Sequence, residues 1–190
     1  MRYLILGTLI LLTTCGQRET KKVTDKVGHL KNLMIKIGFI KLPFTYDIAA
    51  SKIDSKHSMD HNSMDTLFFD SGQFQGVLPD TTNFYCFLYY QPGDSLYPFL
   101  TTVDKSGNVI DTQNIGFGYC NGLLIDIDRC IDQVTIEEDM GLDLLYIATG
   151  TAENDSTKQI IKICNKIVGT GKINEKGKIE INKTEIEDCN

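Results

Sequence analysis

Apolar residues in this chain form one early block and then a series of short runs. Residues 4–12 (LILGTLILL) are the block. At about 9 residues it is far shorter than the roughly 20 that a membrane-spanning helix needs. Residues 16–32 (GQRETKKVTDKVGHLKN) are polar and mixed in charge, and read as a flexible tether that would reach about 50 Å at ~3.3 Å per residue. From Leu33 onward β-branched and aromatic residues dominate short runs broken by turn residues, the pattern of strands. Residues 33–39 (LMIKIGF) alternate around Lys36 and Gly38, and Pro43 ends that region. Short candidates at 66–69 and 76–78 are separated by Asp70-Ser71-Gly72.

Residues 84–90 (FYCFLYY) are apolar on both faces, which predicts a central strand covered on both sides. Runs at 97–103 and 109–115 are joined by DKSGN, a hairpin in which Gly supplies a positive φ. Strands are expected at 123–127, 133–136 and 142–148, and INEKGKIEI (173–181) predicts a second hairpin. Residues 158–168 carry Ile160, Ile163, Cys164, Ile167 and Val168 at helical spacing. Ile161, Ile163 and Ile167 equally fit one face of a strand, and isoleucine is the better strand former, so strand is the expectation. Hairpins link antiparallel neighbours, and no alternation with long helices is present. The predicted class is therefore mostly β: a single antiparallel β domain, a sandwich-like or propeller-like meander, over residues 33–190.

The early block changes the picture of destination. Arg2 precedes it and small residues close it, as in a secretory leader. The closing Leu12-Thr13-Thr14-Cys15 resembles the lipobox of bacterial lipoproteins, with Leu at the third position before the cut and then the invariant Cys. That resemblance implies removal of residues 1–14, thioether lipidation of Cys15 and acylation of the new amino terminus. The implied organisation is a leader (1–14), a lipidated Cys with its tether (15–32) and the β domain. The composition and phrases such as PDTTNFYCFLYYQPGDSLYP and VDKSGNVID resemble small lipoproteins of the Bacteroidetes. Those lipoproteins reside on the outer membrane, facing the periplasm or the exterior. Gly16 after Cys15 is compatible with that address, because Asp there is the usual inner-membrane retention signal in enteric bacteria.

Loss of the leader would leave 176 of the 190 residues, enough for one domain with a real core. It would also leave 18 basic against 25 acidic residues, a net charge of about −7. No stretch is basic enough to neutralise a run of phosphates, so nucleic acid is not an expected partner. The expected partner is the membrane, reached through acyl chains on Cys15.

Five cysteines follow Cys15. An exported chain meets an oxidising compartment, so pairing is reasonable, yet an odd number leaves at least one thiol over. Cys120 with Cys130 is the first expected pair, flanking the turn dipeptide Asn121-Gly122, and Cys164 with Cys189 the second. Cys86, inside the apolar run, reads as a buried free thiol. The alternative, five reduced packing residues, stays open.

Candidate chemistry is sparse. Residues 57–65 (HSMDHNSMD) bring His57, Met59, His61 and Met64 together, and imidazole with thioether suits copper. The segment resembles the Met- and His-rich loops of periplasmic copper-resistance proteins; a polar surface loop is the simpler reading. Asp126, Asp128 and Asp132 would project from one side of an extended strand, hard ligands that suit calcium. A wet strand face explains them more simply. No nucleophile elbow, phosphate loop or metalloprotease helix is present, and no cofactor is expected. The reading leans away from an enzyme, toward a lipid-anchored envelope protein acting as a binding or structural module. The alternatives are a periplasmic copper-binding protein using the 57–64 loop, and a hydrolase whose carboxylates converge only in three dimensions.

Overall fold

Antiparallel pairing follows chain order almost throughout. The computed structural model describes residues 16–47, 73–92, 96–117, 126–154 and 156–186. It opens with a helix, α1 (Gly16–Ile37), and a short strand, β1 (Phe44–Asp47). A meander of β2 (Gln73–Val77), β3 (Tyr85–Pro92), β4 (Leu96–Val103) and β5 (Val109–Asn114) forms a four-stranded sheet in that order. A second meander, β6 (Asp126–Ile136), β7 (Gly141–Glu153), β8 (Ile160–Ile173) and β9 (Ile179–Ile186), forms the other sheet, with β1 added on the β6 edge. The two sheets make a β-sandwich, so the expected antiparallel β fold is present and of the sandwich kind.

The main core lies between the sheets. Cys86, Leu88 and Leu100 of the four-stranded sheet meet Val134, Ile136, Leu142, Leu144 and Tyr146 of the five-stranded one. Period-two alternation then sends Phe87, Tyr89 and Val103 to the opposite face, where Leu30, Leu33 and Ile37 of α1 cover them. β3 is thus buried on both faces, as its sequence requires. The layers run helix, sheet, sheet.

α1 corrects two expectations. The stretch read as a tether, 16–32, is the first part of a helix, and 33–37 is its last turn rather than a strand. Leu30, Leu33 and Ile37 follow at intervals of three and four, and each is under a tenth exposed. The alternation over 33–39 was misleading because Ile35 and Phe39, two of its apolar members, point to solvent at 82% and 61% exposure. Residues 160–168 lie in β8, in agreement with the strand reading. Residues 126–136 form one continuous strand instead of two.

Residues 38–47 touch both sheets. The Ile40 N–H donates to Val77 O (2.8 Å) and the Val77 N–H to Gly38 O (3.0 Å) on the free edge of β2. Phe44 to Asp47 then pair with Ile136 to Gln133 on β6. Gly76 permits this approach, since a Cβ there would lie 2.7 Å from Ile40 Cγ1. At another edge the β8–β9 turn seals onto the four-stranded sheet. Thr102 Oγ1 donates to Gly177 O (2.6 Å), the Ile179 N–H to Asp111 Oδ2 (3.1 Å) and Lys178 Nζ to Ile110 O (2.8 Å).

Candidate functional site

Several residues singled out in the sequence lie outside the described residues: Cys15, the metal candidates His57, Met59, His61 and Met64, and Cys120 and Cys189. The other cysteines are placed. Cys130 on β6 and Cys164 on β8 are each disulfide-bonded. They are not bonded to each other: Cys130 stands opposite Ala148 and Cys164 opposite Thr149, successive residues of β7 that face opposite ways. Two strand spacings, about 9.5 Å, also exceed the roughly 7 Å limit between bridged Cα atoms. Their partners therefore lie outside the described residues. Cys86 is free and fully buried, and burial pushes its thiol pKa far up, which makes it inert.

The three aspartates do not share a face. A bulge between Ile127 and Arg129 shifts the register, so Asp126 stands opposite Thr151 on the outer face and Asp132 opposite Tyr146 on the inner one. Asp126 and Asp128 are exposed, whereas Asp132 is wholly buried. Among the described residues no group of three His, Cys, Asp or Glu side chains is gathered as a metal site.

Asp132 instead anchors a polar knot between the sheets. Its two carboxylate oxygens accept the Phe117 N–H at 3.1 and 3.3 Å. The Phe117 ring packs on Tyr146 with centroids 5.5 Å apart. From β9, Lys183 Nζ sits 4.4 Å above that ring and donates to Gly116 O at 3.4 Å. Burial lowers the Lys183 pKa, and the Asp132 charge opposes the fall. The cluster fixes residues 116–117, which leave the four-stranded sheet, against β6, β7 and β9. Its chemistry is structural, because an enclosed carboxylate committed to a backbone amide has no room for substrate. A sequence signal for it existed: Asp132 shares parity with the core residues Val134 and Ile136.

Two concavities are formed by the described residues. One, about 120 Å³, is rimmed by Asp80, Asn83, Asp139, Met140, Asn174 and Glu175. Asp80 accepts the Thr82 N–H at 2.9 Å, and bonds from Thr82 hold its carboxyl below the usual range. Asp139 accepts the Gly141 N–H at 3.0 Å. A glycosidase acid needs the opposite, a raised pKa, and ligand pockets run to roughly 300–1,000 Å³. The cleft is a turn junction. The other concavity, about 230 Å³, is apolar and lined by Lys31, Met34, Ile35, Phe39 and Tyr85. Among the described residues no helix is long and apolar enough to cross a membrane. No protein-family model matches this chain, and no curated protein or solved structure matches it.

Proposed function

We propose that this protein is a lipid-anchored component of the bacterial cell envelope, held at the outer membrane through Cys15, and that it serves there as a non-enzymatic binding or structural module. The observation that carries the reading is the cysteine count. Six cysteines are present; Cys130 and Cys164 are in disulfides and Cys86 is a buried thiol. The two missing partners come from Cys15, Cys120 and Cys189, which leaves exactly one of the three over. Lipidation of Cys15 accounts for that remainder and returns Cys120 and Cys189 to the expected pairs. Disulfides also suit a chain exported to an oxidising compartment.

The test is metabolic labelling with an alkyne fatty acid in a bacterium expressing the whole chain. Label is expected in the wild type and none in Cys15→Ser, which should leave the membrane fraction after a high-salt wash. Peptide mapping under non-reducing conditions should give Cys120–Cys130 and Cys164–Cys189, with Cys86 alkylated only after unfolding. A disulfide to Cys15, or label persisting in Cys15→Ser, refutes the reading.

A further inference from the structure

The exposed side of α1 is the least expected surface in the molecule. A helix that covers a sheet is apolar toward it and polar elsewhere. Here Leu30, Leu33 and Ile37 face the sheet, yet Ile35 is 82% exposed on the other side and Phe39, just past the helix, is 61% exposed. Among the described residues these are the two largest exposures of fully apolar side chains apart from Ile160 at 63%. With Met34 and Tyr85 they line the apolar groove.

The charge around them is one-sided. Residues 26–46 hold four lysines (Lys26, Lys31, Lys36 and Lys41) and no Asp or Glu, in a chain with 25 acidic to 19 basic residues. Lys31 walls the groove, one helical turn before Ile35. Lys105 lies 3.8 Å from the Tyr85 ring centroid, and its charge is shared with Asp80, whose pKa it helps to lower.

We propose that Ile35 and Phe39, with Lys31 beside them in the groove and the exposed Lys36 and Lys41 adjacent in the chain, form a footprint that seats on an anionic lipid surface. Apolar side chains entering the headgroup boundary inside a lysine frame are the physical signature of an interfacial helix. Acyl chains tether a protein without orienting it. A second contact on the helix that directly follows Cys15 would set which face of the sandwich points outward. The idea extends the lipid-anchor reading, but the surface stands on its own exposure and charge.

The test uses the unacylated chain from Gly16 onward. Every buried hydrophobic residue among those described lies between Leu30 and Ile179, so this chain keeps both cores. It is sedimented with vesicles of phosphatidylglycerol and phosphatidylcholine in equal parts, and with pure phosphatidylcholine. Binding to the anionic vesicles at low salt is expected, weakening as salt rises. Ile35→Asp with Phe39→Asp should bind at least about tenfold more weakly, and Lys31→Glu with Lys36→Glu should lose the salt dependence. Ile35→Asp alone, at a site open to solvent, serves if the double variant is unstable. The proposal is overturned by equal binding of wild type and Ile35→Asp, or by equal binding to neutral vesicles. It is also overturned if sedimentation equilibrium shows a dimer that Ile35→Asp dissolves, since the patch would then belong to a second copy. Absence of fatty-acid label on Cys15 would refute the anchor and leave this result standing.

Discussion

Replacing Asp132 by Ala should destabilise the sandwich by about 1–4 kcal/mol. The first contribution is the Phe117 N–H, in a residue only 5% exposed, which loses the carboxylate that accepts it. An orphaned buried donor costs about 1–3 kcal/mol. The second is Lys183, which loses the opposing charge that supports its ammonium. Because Lys183 itself reaches solvent, that contribution is discounted to about 1 kcal/mol or less. Asp132→Asn keeps an oxygen for the amide and loses only the charge, so about 1 kcal/mol is expected. Urea denaturation followed by circular dichroism measures both. With a slope of roughly 2 kcal/mol per molar, the midpoint of Asp132→Ala should fall by about 0.5–2 M at unchanged slope. If its midpoint stays within about 0.2 M of wild type, or if Asn costs as much as Ala, the amide bond is not what holds residues 116–117 in place.

Other substitutions probe other parts of the fold. Leu33→Ala, at a site 6% exposed under α1, should cost about 2–4 kcal/mol, while Ile35→Ala should cost under about 0.5 kcal/mol; equal losses in a thermal melt would contradict the facing of the helix. Gly177 has φ +77°, and a Cβ there would lie 2.9 Å from Ile110 Cδ1 and 3.3 Å from the Phe84 ring. Gly177→Ala therefore combines backbone strain with overpacking and should cost about 2–3 kcal/mol by denaturant titration; a neutral result would mean the turn is not packed on the four-stranded sheet. Tyr90 has its pKa raised, by burial first and by the stacked Tyr46 second. The unfolded chain releases that proton near pH 10 and the folded one retains it, so stability present below about pH 10 is lost as pH rises beyond it. Tyr90→Phe should remove up to about 1.4 kcal/mol per pH unit of that loss; identical alkaline slopes for the two proteins would show that Tyr90 is not shielded.

Where the chain states its own local geometry, the sequence was readable. DKSGN and NEKGK fold into matching loops because Asp104 and Asn174 do the same work. Each accepts the backbone N–H two and four residues on, at 2.8 Å for Ser106 and Asn108 and at 3.0 Å for Lys176 and Lys178. The double-sided apolar run of β3 was equally direct. Features decided by tertiary partners were not. The polar 16–32 stretch is helical, though its apolar stripe becomes visible only with Leu30, Leu33 and Ile37, and exposed Ile35 and Phe39 imitate a strand. The bulge at Asp128 has no local marker, so three evenly spaced aspartates suggested one ligand face when Asp132 belongs to the core. Nor does spacing along the chain say that Asp132 would meet Phe117 and Lys183, residues 15 and 51 positions away.

The ten residues from Gly38 to Asp47 determine how the body answers a pull from its N-terminal side. Tension entering along α1 first meets the side-chain packing of Leu30, Leu33 and Ile37, and then this segment. There it reaches the hydrogen bonds to the β2 edge first and those to the β6 edge next. The two sets lie in series along the segment, so the β6 pairing is loaded only after residues 38–40 have left β2. A protein moored at that end would give way by shedding its helix while the sandwich stayed shut.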